Sequence, residues 1–474
     1  MRLEALPTTL SLALLLSAED ALAAPKTSSQ PRELHIPLSR RPVVQRSDAE
    51  WGLWARQQKE MLESKYGAEP SRRKRTSGYN LLTDQNADSS YFGSLAVGTP
   101  PVAYNVILDT GSSDLWLASS ECQSGCRNIP TFTASSSSSF KNLSESFAIT
   151  YGSGKASGVL GQDVIQMAGF EVNNQIFGVC DVVSNGLLNS PVSGLLGLAW
   201  QAIASSGATP FWQTLYQNNV WDQPLMAFQL TRFQNDSQAA ALEPGGTFTM
   251  GNVNNSLYTG NIDYQNIPSG AVAYWTLPLV GLNVNGNAIT LPSGSGSYAA
   301  IDTGTTLVGG PNDQISAIYA QIPNSNPASG NYEGYYTYPC DTVVNVTLSF
   351  GGQTWSIAPG DFQLTQLSSG QCLGAFFEFS SGSTSAPPWI VGDTFLKNVY
   401  SVFRANPASV GFATLAVDGQ GAGANGPVPT PTIGAVSASV TGSGRSHSNS
   451  ARRESGAWGW GAVAVGVVVA ACAL

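Results

Sequence analysis

One internal repetition constrains this chain more than any other feature. Ile107-Leu108-Asp109-Thr110-Gly111-Ser112-Ser113 is echoed by Ala300-Ile301-Asp302-Thr303-Gly304-Thr305-Thr306. A second element, two apolar residues and a glycine, follows each copy. Gly197 of Leu195-Leu196-Gly197 stands 88 residues after Asp109, and Gly392 of Ile390-Val391-Gly392 stands 90 after Asp302. A single Asp-Thr-Gly reads as an ordinary turn. Two copies with matched flanks and near-equal spacing point instead to a duplicated lobe.

The background suits such a duplication. From 90 to 416 short alternating apolar runs, such as 91–97, 102–108 and 401–415, are separated by Gly, Asn, Ser and Pro, the pattern of antiparallel strands and tight turns. With 42% hydrophobic and only 11% charged residues, 50 Gly and 27 Pro in 474, disorder and long helical architectures are disfavoured. Both ends read as processing segments, which leaves a folded part of about 340 residues, enough for two lobes.

Charge is unevenly placed. Residues 24–75 carry 12 Lys+Arg against 6 Asp+Glu, a net of +6, whereas 76–416 carry 6 against 20, a net of −14. So acidic a body repels polyanions, which argues against nucleic-acid partners. The only histidines, His35 and His447, lie outside that body. Within those boundaries Ser-His-Asp and Cys-His catalysis and histidine-bearing zinc sites are excluded.

Each half instead offers one carboxylate at the tip of an apolar strand, followed by Thr and by a Gly that permits a tight turn and a close approach to its counterpart. If a two-fold brings Asp109 and Asp302 together, like charges at that distance share a proton across a broad acidic range. The ionised member takes a proton from water while the protonated member donates to a carbonyl oxygen, which hydrolyses an amide without a covalent intermediate, a cofactor or a metal.

These residues resemble the pepsin-like aspartic proteases, and the resemblance covers 85–416. Besides both Asp-Thr-Gly copies it includes Tyr151-Gly152-Ser153-Gly154, similar to the family's flap hairpin, Trp116, and Gly392-Asp393-Thr394-Phe395-Leu396. Unequal proton sharing is the known behaviour of this family's dyad and is applied here, not deduced anew. The resemblance implies an all-β, bilobal fold with the cleft between two pseudo-symmetric lobes, 76–265 and 266–416. It implies Asp109 and Asp302 as the catalytic pair, with Ser112 and Thr305 as their outer hydrogen-bond partners. Tyr151, Gly152, Ser153, Gly154, Trp116, Gly111 and Gly304 are then the flap and substrate-binding residues. Lys155, next to the flap glycine, is a cation expected to bias subsites towards acidic side chains, unless it is a solvated hairpin lysine.

The ends read as addresses. Arg2, the apolar stretch Leu10 to Leu16 and Ala21-Leu22-Ala23 suggest a signal peptide, 1–23. The tetrabasic Arg72-Arg73-Lys74-Arg75 suggests processing after Arg75, leaving 24–75 as a basic propeptide that inhibits its own acidic enzyme. In related zymogens a lysine followed by tyrosine enters the cleft, and Lys65-Tyr66 matches that pattern, with Lys59 in reserve. Residues 417–455 are a Ser/Gly/Pro-rich segment expected to be a flexible stalk. The apolar tail 456–474 fits a removed glycosylphosphatidylinositol signal, with a retained transmembrane helix as the alternative. Cys122 with Cys126, and Cys340 with Cys372, are the simplest disulfides, leaving Cys180 odd; Asn142, Asn235, Asn254 and Asn345 are permitted glycan acceptors. The expectation is a secreted, surface-anchored aspartic endopeptidase of the fungal, yapsin-like type, monomeric, with protein or peptide substrates and a membrane contact through its lipid. A catalytically silent wall or adhesion glycoprotein on the same fold is the alternative.

Overall fold

The computed structural model describes residues 51, 55, 77–234, 236–368, 370–380, 386–416 and 423–442, and the backbone of 467–468. The signal peptide, Lys65 and nearly all of the propeptide, Asn235 and the side chains of the apolar tail lie outside them. Among the described residues no helix is long and apolar enough to cross a membrane.

The fold is β-rich, and its centre is built twice. Strand Val102–Asp109 runs parallel to Val192–Gly197, with Leu108 beside Leu196 and Asp109 beside Gly197. Strand Leu115–Ala118 lies antiparallel on the other side of Val192–Gly197. In the second half Tyr298–Ile301 runs parallel to Trp389–Val391, and Val308–Gly310 pairs antiparallel with the same strand. The repeated apolar-apolar-Gly elements are therefore the strands against which each Asp-bearing strand is laid. Their matched spacing reports a pairing in space.

A large sheet carries the first half and receives the end of the chain. Strand Leu225–Leu230 pairs with Leu242–Met250 on one side and with Tyr400–Ala405 on the other, so the last strands are woven into the first half's sheet. Under the Asp strands sit Trp200, Trp212 and Trp275, with ring centres 5.0 to 5.6 Å apart. Trp275 Nε1 donates to the Leu198 carbonyl and Trp212 Nε1 to that of Ala199, each at 2.9 Å, so these rings are both packed and hydrogen-bonded.

Part of the expected stalk differs. Residues 438–441 form a strand parallel to Phe170–Asn173, and the Thr432 N–H donates to Ser94 Oγ at 2.8 Å. A free sheet edge needs backbone partners more than large side chains, and here only Ala438 and Val440 add apolar contact. Composition alone missed this because hydrogen bonding of the backbone is blind to it.

The halves also share a buried ionic junction. Lys397 Nζ donates to Asp88 Oδ2 at 2.7 Å and lies 3.2 Å from Asp361 Oδ1. Arg232 Nε donates to both Asp361 oxygens, at 3.0 and 2.9 Å. Asp84 and Asp393 are buried beside them, giving four carboxyl groups to two cations. Burial, reinforced by the Asp88 carboxylate, pushes Asp84 up from 3.8 to about 9, and burial raises Asp393 well above the ordinary range. Asp88 moves the other way, because Lys397 and its hydrogen bonds outweigh its burial, so it matters only below the ordinary carboxylate range. Between 3.8 and about 9 the folded chain keeps a proton on Asp84 that the unfolded chain has released. Stability therefore falls as pH rises through that window, by up to about 1.4 kcal/mol per pH unit for one proton. Scanning calorimetry from pH 4 to 9 should give a falling Tm, with a shallower fall in Asp84→Asn; a level or rising Tm would refute this account.

Candidate active site

Asp109 ends its strand because Tyr104, Val106 and Leu108 are buried on one side and the chain then turns at Thr110-Gly111. Asp302 follows Ala299, Ala300 and Ile301, also buried, and its N–H donates to the Val391 carbonyl at 3.0 Å. The two turns meet head to head. A Cβ on Gly111 would overlap the Asp302 carboxylate, and one on Gly304 would overlap that of Asp109. Both glycines serve close approach rather than an unusual φ, since neither has a positive one.

Reciprocal hydrogen bonds of Thr110 and Thr303 lock this geometry. The Thr110 hydroxyl donates to the Ile301 carbonyl at 2.8 Å and accepts the Thr303 N–H at 3.0 Å. Symmetrically, the Thr303 hydroxyl donates to the Leu108 carbonyl at 2.7 Å and accepts the Thr110 N–H at 3.1 Å. Sequence reasoning assigned no role to either residue, although the same hydroxyl at the same place in both copies was the available signal.

The carboxylates are held in matching ways. Gly111 N–H donates to Asp109 Oδ1 at 2.8 Å and Ser112 Oγ donates to Oδ2. Gly304 N–H donates to Asp302 Oδ1 at 2.9 Å and Thr305 Oγ1 to Oδ2 at 2.7 Å. The two carboxyl groups lie close enough to act on each other's proton affinity. Both are buried, and burial raises both. For Asp109 the Ser112, Asp302 and Gly111 hydrogen bonds counteract the rise, while the Asp109 charge drives Asp302 further up. Asp302 is therefore the member of the pair driven higher.

The flap strands Lys141–Tyr151 and Gly154–Met167 are joined by Gly152-Ser153. Phe147, Ile149 and Tyr151 are buried and alternate with exposed Ser146, Ala148 and Thr150, which turns Tyr151 inward. Trp116 Nε1 donates to the Tyr151 hydroxyl at 2.7 Å. These two line a hollow with Ile107, Leu187, Leu188 and Leu195, closed by Ser89, Ser90, Ser153, Gly304 and Thr306. Ser153 Oγ is buried there without a hydrogen-bond partner. Lys155 pairs with Thr150, one step out of phase with the pair Tyr151 and Gly154, so its exposed side chain occupies the flap's outer face. This placement favours the solvated hairpin lysine over a cation that biases the subsites. A roomier hollow of about 450 Å³ on the second half, lined by residues such as Leu279, Ile289 and Tyr298, contains no carboxylate.

The remaining residues are supports. Cys122–Cys126 and Cys340–Cys372 are disulfides, and Cys180 is a buried free thiol. Asn142 and Asn345 are exposed, while Asn254 is half-buried with its Oδ1 accepting from the Ser256 hydroxyl. Among the described residues no cluster of His, Cys, Asp and Glu has a metal-holding arrangement.

Thr110→Val keeps the shape but strips partners from the Ile301 carbonyl and the Thr303 N–H, at a cost of about 1–3 kcal/mol for each buried group left unpaired. Denaturant titration should show a loss of roughly 2–5 kcal/mol, and a smaller one for Thr110→Ser. A loss below about 0.5 kcal/mol, the range of a neutral surface change, would deny the threonines this role.

The comparisons with known proteins agree with this geometry. The family model described as eukaryotic aspartyl protease matches residues 90–415. The chain is 44% identical over 428 residues to the major aspartyl peptidase 1 of Cryptococcus neoformans var. grubii, covering 83% of this chain and 86% of that protein. It is 38% identical over 349 residues to an aspartic protease of Phaffia rhodozyma, covering 72% of this chain and 80% of that one. To pepsin A of Bos taurus it is 33% identical over 334 residues, covering 69% and 85%. Twofold internal symmetry, a flap and a carboxylate pair at the centre thus accompany overall likeness, and the chain belongs to the eukaryotic aspartyl protease family.

Proposed function

We propose that the protein is a secreted, surface-anchored endopeptidase that hydrolyses extended peptide segments in acid, with Asp109 and Asp302 as its catalytic pair. The observation that carries this reading is the interlocked carboxylate pair, buried, hydrogen-bonded and unequal in proton affinity. A water bound between the two carboxylates loses a proton to Asp109 while Asp302 gives its proton to the scissile carbonyl oxygen. The tetrahedral diol collapses, breaking the C–N bond, when the proton gained by Asp109 reaches the leaving nitrogen and a diol hydroxyl returns its proton to Asp302. Ser112 and Thr305 keep the carboxylates oriented through both steps.

Substrate is held in keeping with the lining. The aliphatic and aromatic wall beneath Tyr151 suits an apolar side chain beside the scissile bond. The Ser153 hydroxyl has a hydrogen bond to offer the substrate's backbone. The lobes are proposed as 76–265 and 266–416, with 24–75 as the inhibitory propeptide and Lys65 as the cation meeting the dyad. Secretion is supported by the leader-like start and the disulfides, and surface anchoring by the apolar tail. Asn142, Asn235, Asn254 and Asn345 are the proposed glycan acceptors.

The test is hydrolysis of an unbiased peptide library from pH 3 to 7 by the secreted, propeptide-free protein. Asp109→Asn and Asp302→Asn should each lower kcat/KM by at least about a hundredfold. Activity should decline on the alkaline side as Asp302 loses the shared proton, and on the acid side as Asp109 gains one. Silence of the wild type together with failure to bind a pepstatin-type mimic would favour the non-catalytic glycoprotein. The isolated propeptide should inhibit at near-neutral pH and Lys65→Ala should weaken it; equal inhibition would remove Lys65 from the cleft.

A further inference from the structure

Asn86, Ala87 and Asp88 form an unusual run. Their φ values are 53°, 52° and 68°, three consecutive left-handed residues without a glycine. Such a turn persists only where its surroundings over-determine it. Here the Asn86 N–H donates to the Ala241 carbonyl at 2.9 Å and the Asp88 N–H to Asp84 Oδ1 at 2.8 Å. The Asp88 carboxylate is pinned at both oxygens, by the Phe233 N–H at 2.6 Å and by Lys397 Nζ at 2.7 Å. Lys397 comes from the other half of the molecule, directly after the short helix Asp393–Leu396, and also donates to Gln234 Oε1 at 3.0 Å.

The turn opens into the site. The Ser89 carbonyl accepts the Thr306 hydroxyl at 2.6 Å, and Ser89 and Ser90 line the hollow beneath the flap. The helix that precedes Lys397 grips the same segment from the opposite side. Thr394 N–H donates to the Thr306 carbonyl at 2.9 Å, and Asp393 N–H to that of Thr305 at 2.8 Å. Thr305 is the residue whose hydroxyl orients Asp302. The Lys397–Asp88 pair thus joins two clamps on one active-site strand end, although Lys397 itself has no bond to the dyad.

We propose that Lys397, paired with Asp88 across the two halves, is a positioning residue for peptide hydrolysis, holding the left-handed turn so that Ser89 stays on Thr306 and Thr305 stays aligned on Asp302. The proposal rests on the reading of Asp109 and Asp302 as the catalytic pair. Without the ammonium, the Asp88 carboxylate is buried and unpaired, the turn relaxes towards ordinary φ values, and both the pocket wall and the Asp302 support shift. A misplacement of about 1 Å caused by a change far from the chemistry costs about a hundredfold in rate.

The test compares Lys397→Met, Lys397→Arg, Asp88→Asn and the double variant Lys397→Met/Asp88→Asn, each checked for native circular dichroism. Lys397→Met and Asp88→Asn should each lower kcat/KM by about a hundredfold, with kcat falling as well as KM rising. The double variant should be little worse than either single one, because the two residues act as a unit. Lys397→Arg, which keeps the charge and the donors, should recover activity to within about tenfold of wild type. Arg404→Ala removes a cation stacked 3.8 Å from the Tyr264 ring centre, away from the cleft, and should lose stability without losing kcat/KM. Amide exchange gives a readout independent of turnover: residues 86–90 should exchange faster in Asp88→Asn while the flap amides do not. Folded Lys397→Met and Asp88→Asn variants with kcat/KM within about threefold of wild type, or unchanged exchange at 86–90, would overturn the positioning role. An inactive wild type, or active Asp109→Asn and Asp302→Asn, would indict the catalytic reading instead, with exchange at 86–90 still deciding whether Lys397 holds the turn.

Discussion

The exchange of hydrogen bonds between Thr110 and Thr303 is the constraint on which the rest of this protein depends. Two carboxyl groups are buried face to face, an arrangement that repulsion and lost hydration oppose. It persists because each threonine hydroxyl satisfies both a carbonyl and an N–H of the opposite half, so parting the carboxyl groups would strand four buried backbone groups at once. Everything nearby supports that junction: the matched parallel strands behind each Asp, the tryptophans beneath, and the last strands of the chain threaded into the first half's sheet.

A second constraint is the scarcity of positive charge. Between 76 and 416 only six Lys and Arg side chains face twenty Asp and Glu. Two of those six, Arg232 and Lys397, are spent on the buried junction, where they still leave four carboxyl groups to two cations. The shortfall is eased by burial that drives Asp84 and Asp393 in the junction, and Asp302 in the site, above the ordinary carboxylate range. The interior that stabilises the fold and the pair assigned to the chemistry therefore favour the same acidic range. Lys397 links the two, through one strained turn and one short helix that close on Thr305 and Thr306.

Much of this was legible because duplication writes a tertiary relation into linear spacing. Asp109 and Asp302 and the repeated elements ending at Gly197 and Gly392 follow from comparing one half with the other, while Ser112 and Thr305 were implied by the family resemblance. The flap was legible through the likeness of Tyr151-Gly152-Ser153-Gly154 to the family's hairpin, and the structure adds the alternate burial of Phe147, Ile149 and Tyr151. Lys155 was left between two readings for want of a register: one residue of phase separates the cleft face from the solvent face. The segment 438–441 was missed because edge pairing leaves no compositional mark.

By itself the sequence determined that there are two similar halves, that each presents a carboxylate at a strand end, and that no histidine serves between 76 and 416. Those are properties of local pattern and of counting. Only the tertiary structure decided which carboxyl is driven higher, which threonine atoms bind the halves, and that Lys397 reaches Asp88 across 309 positions of chain. Burial and partnership are set by groups distant in sequence, and proton affinity, orientation and strain all follow from them.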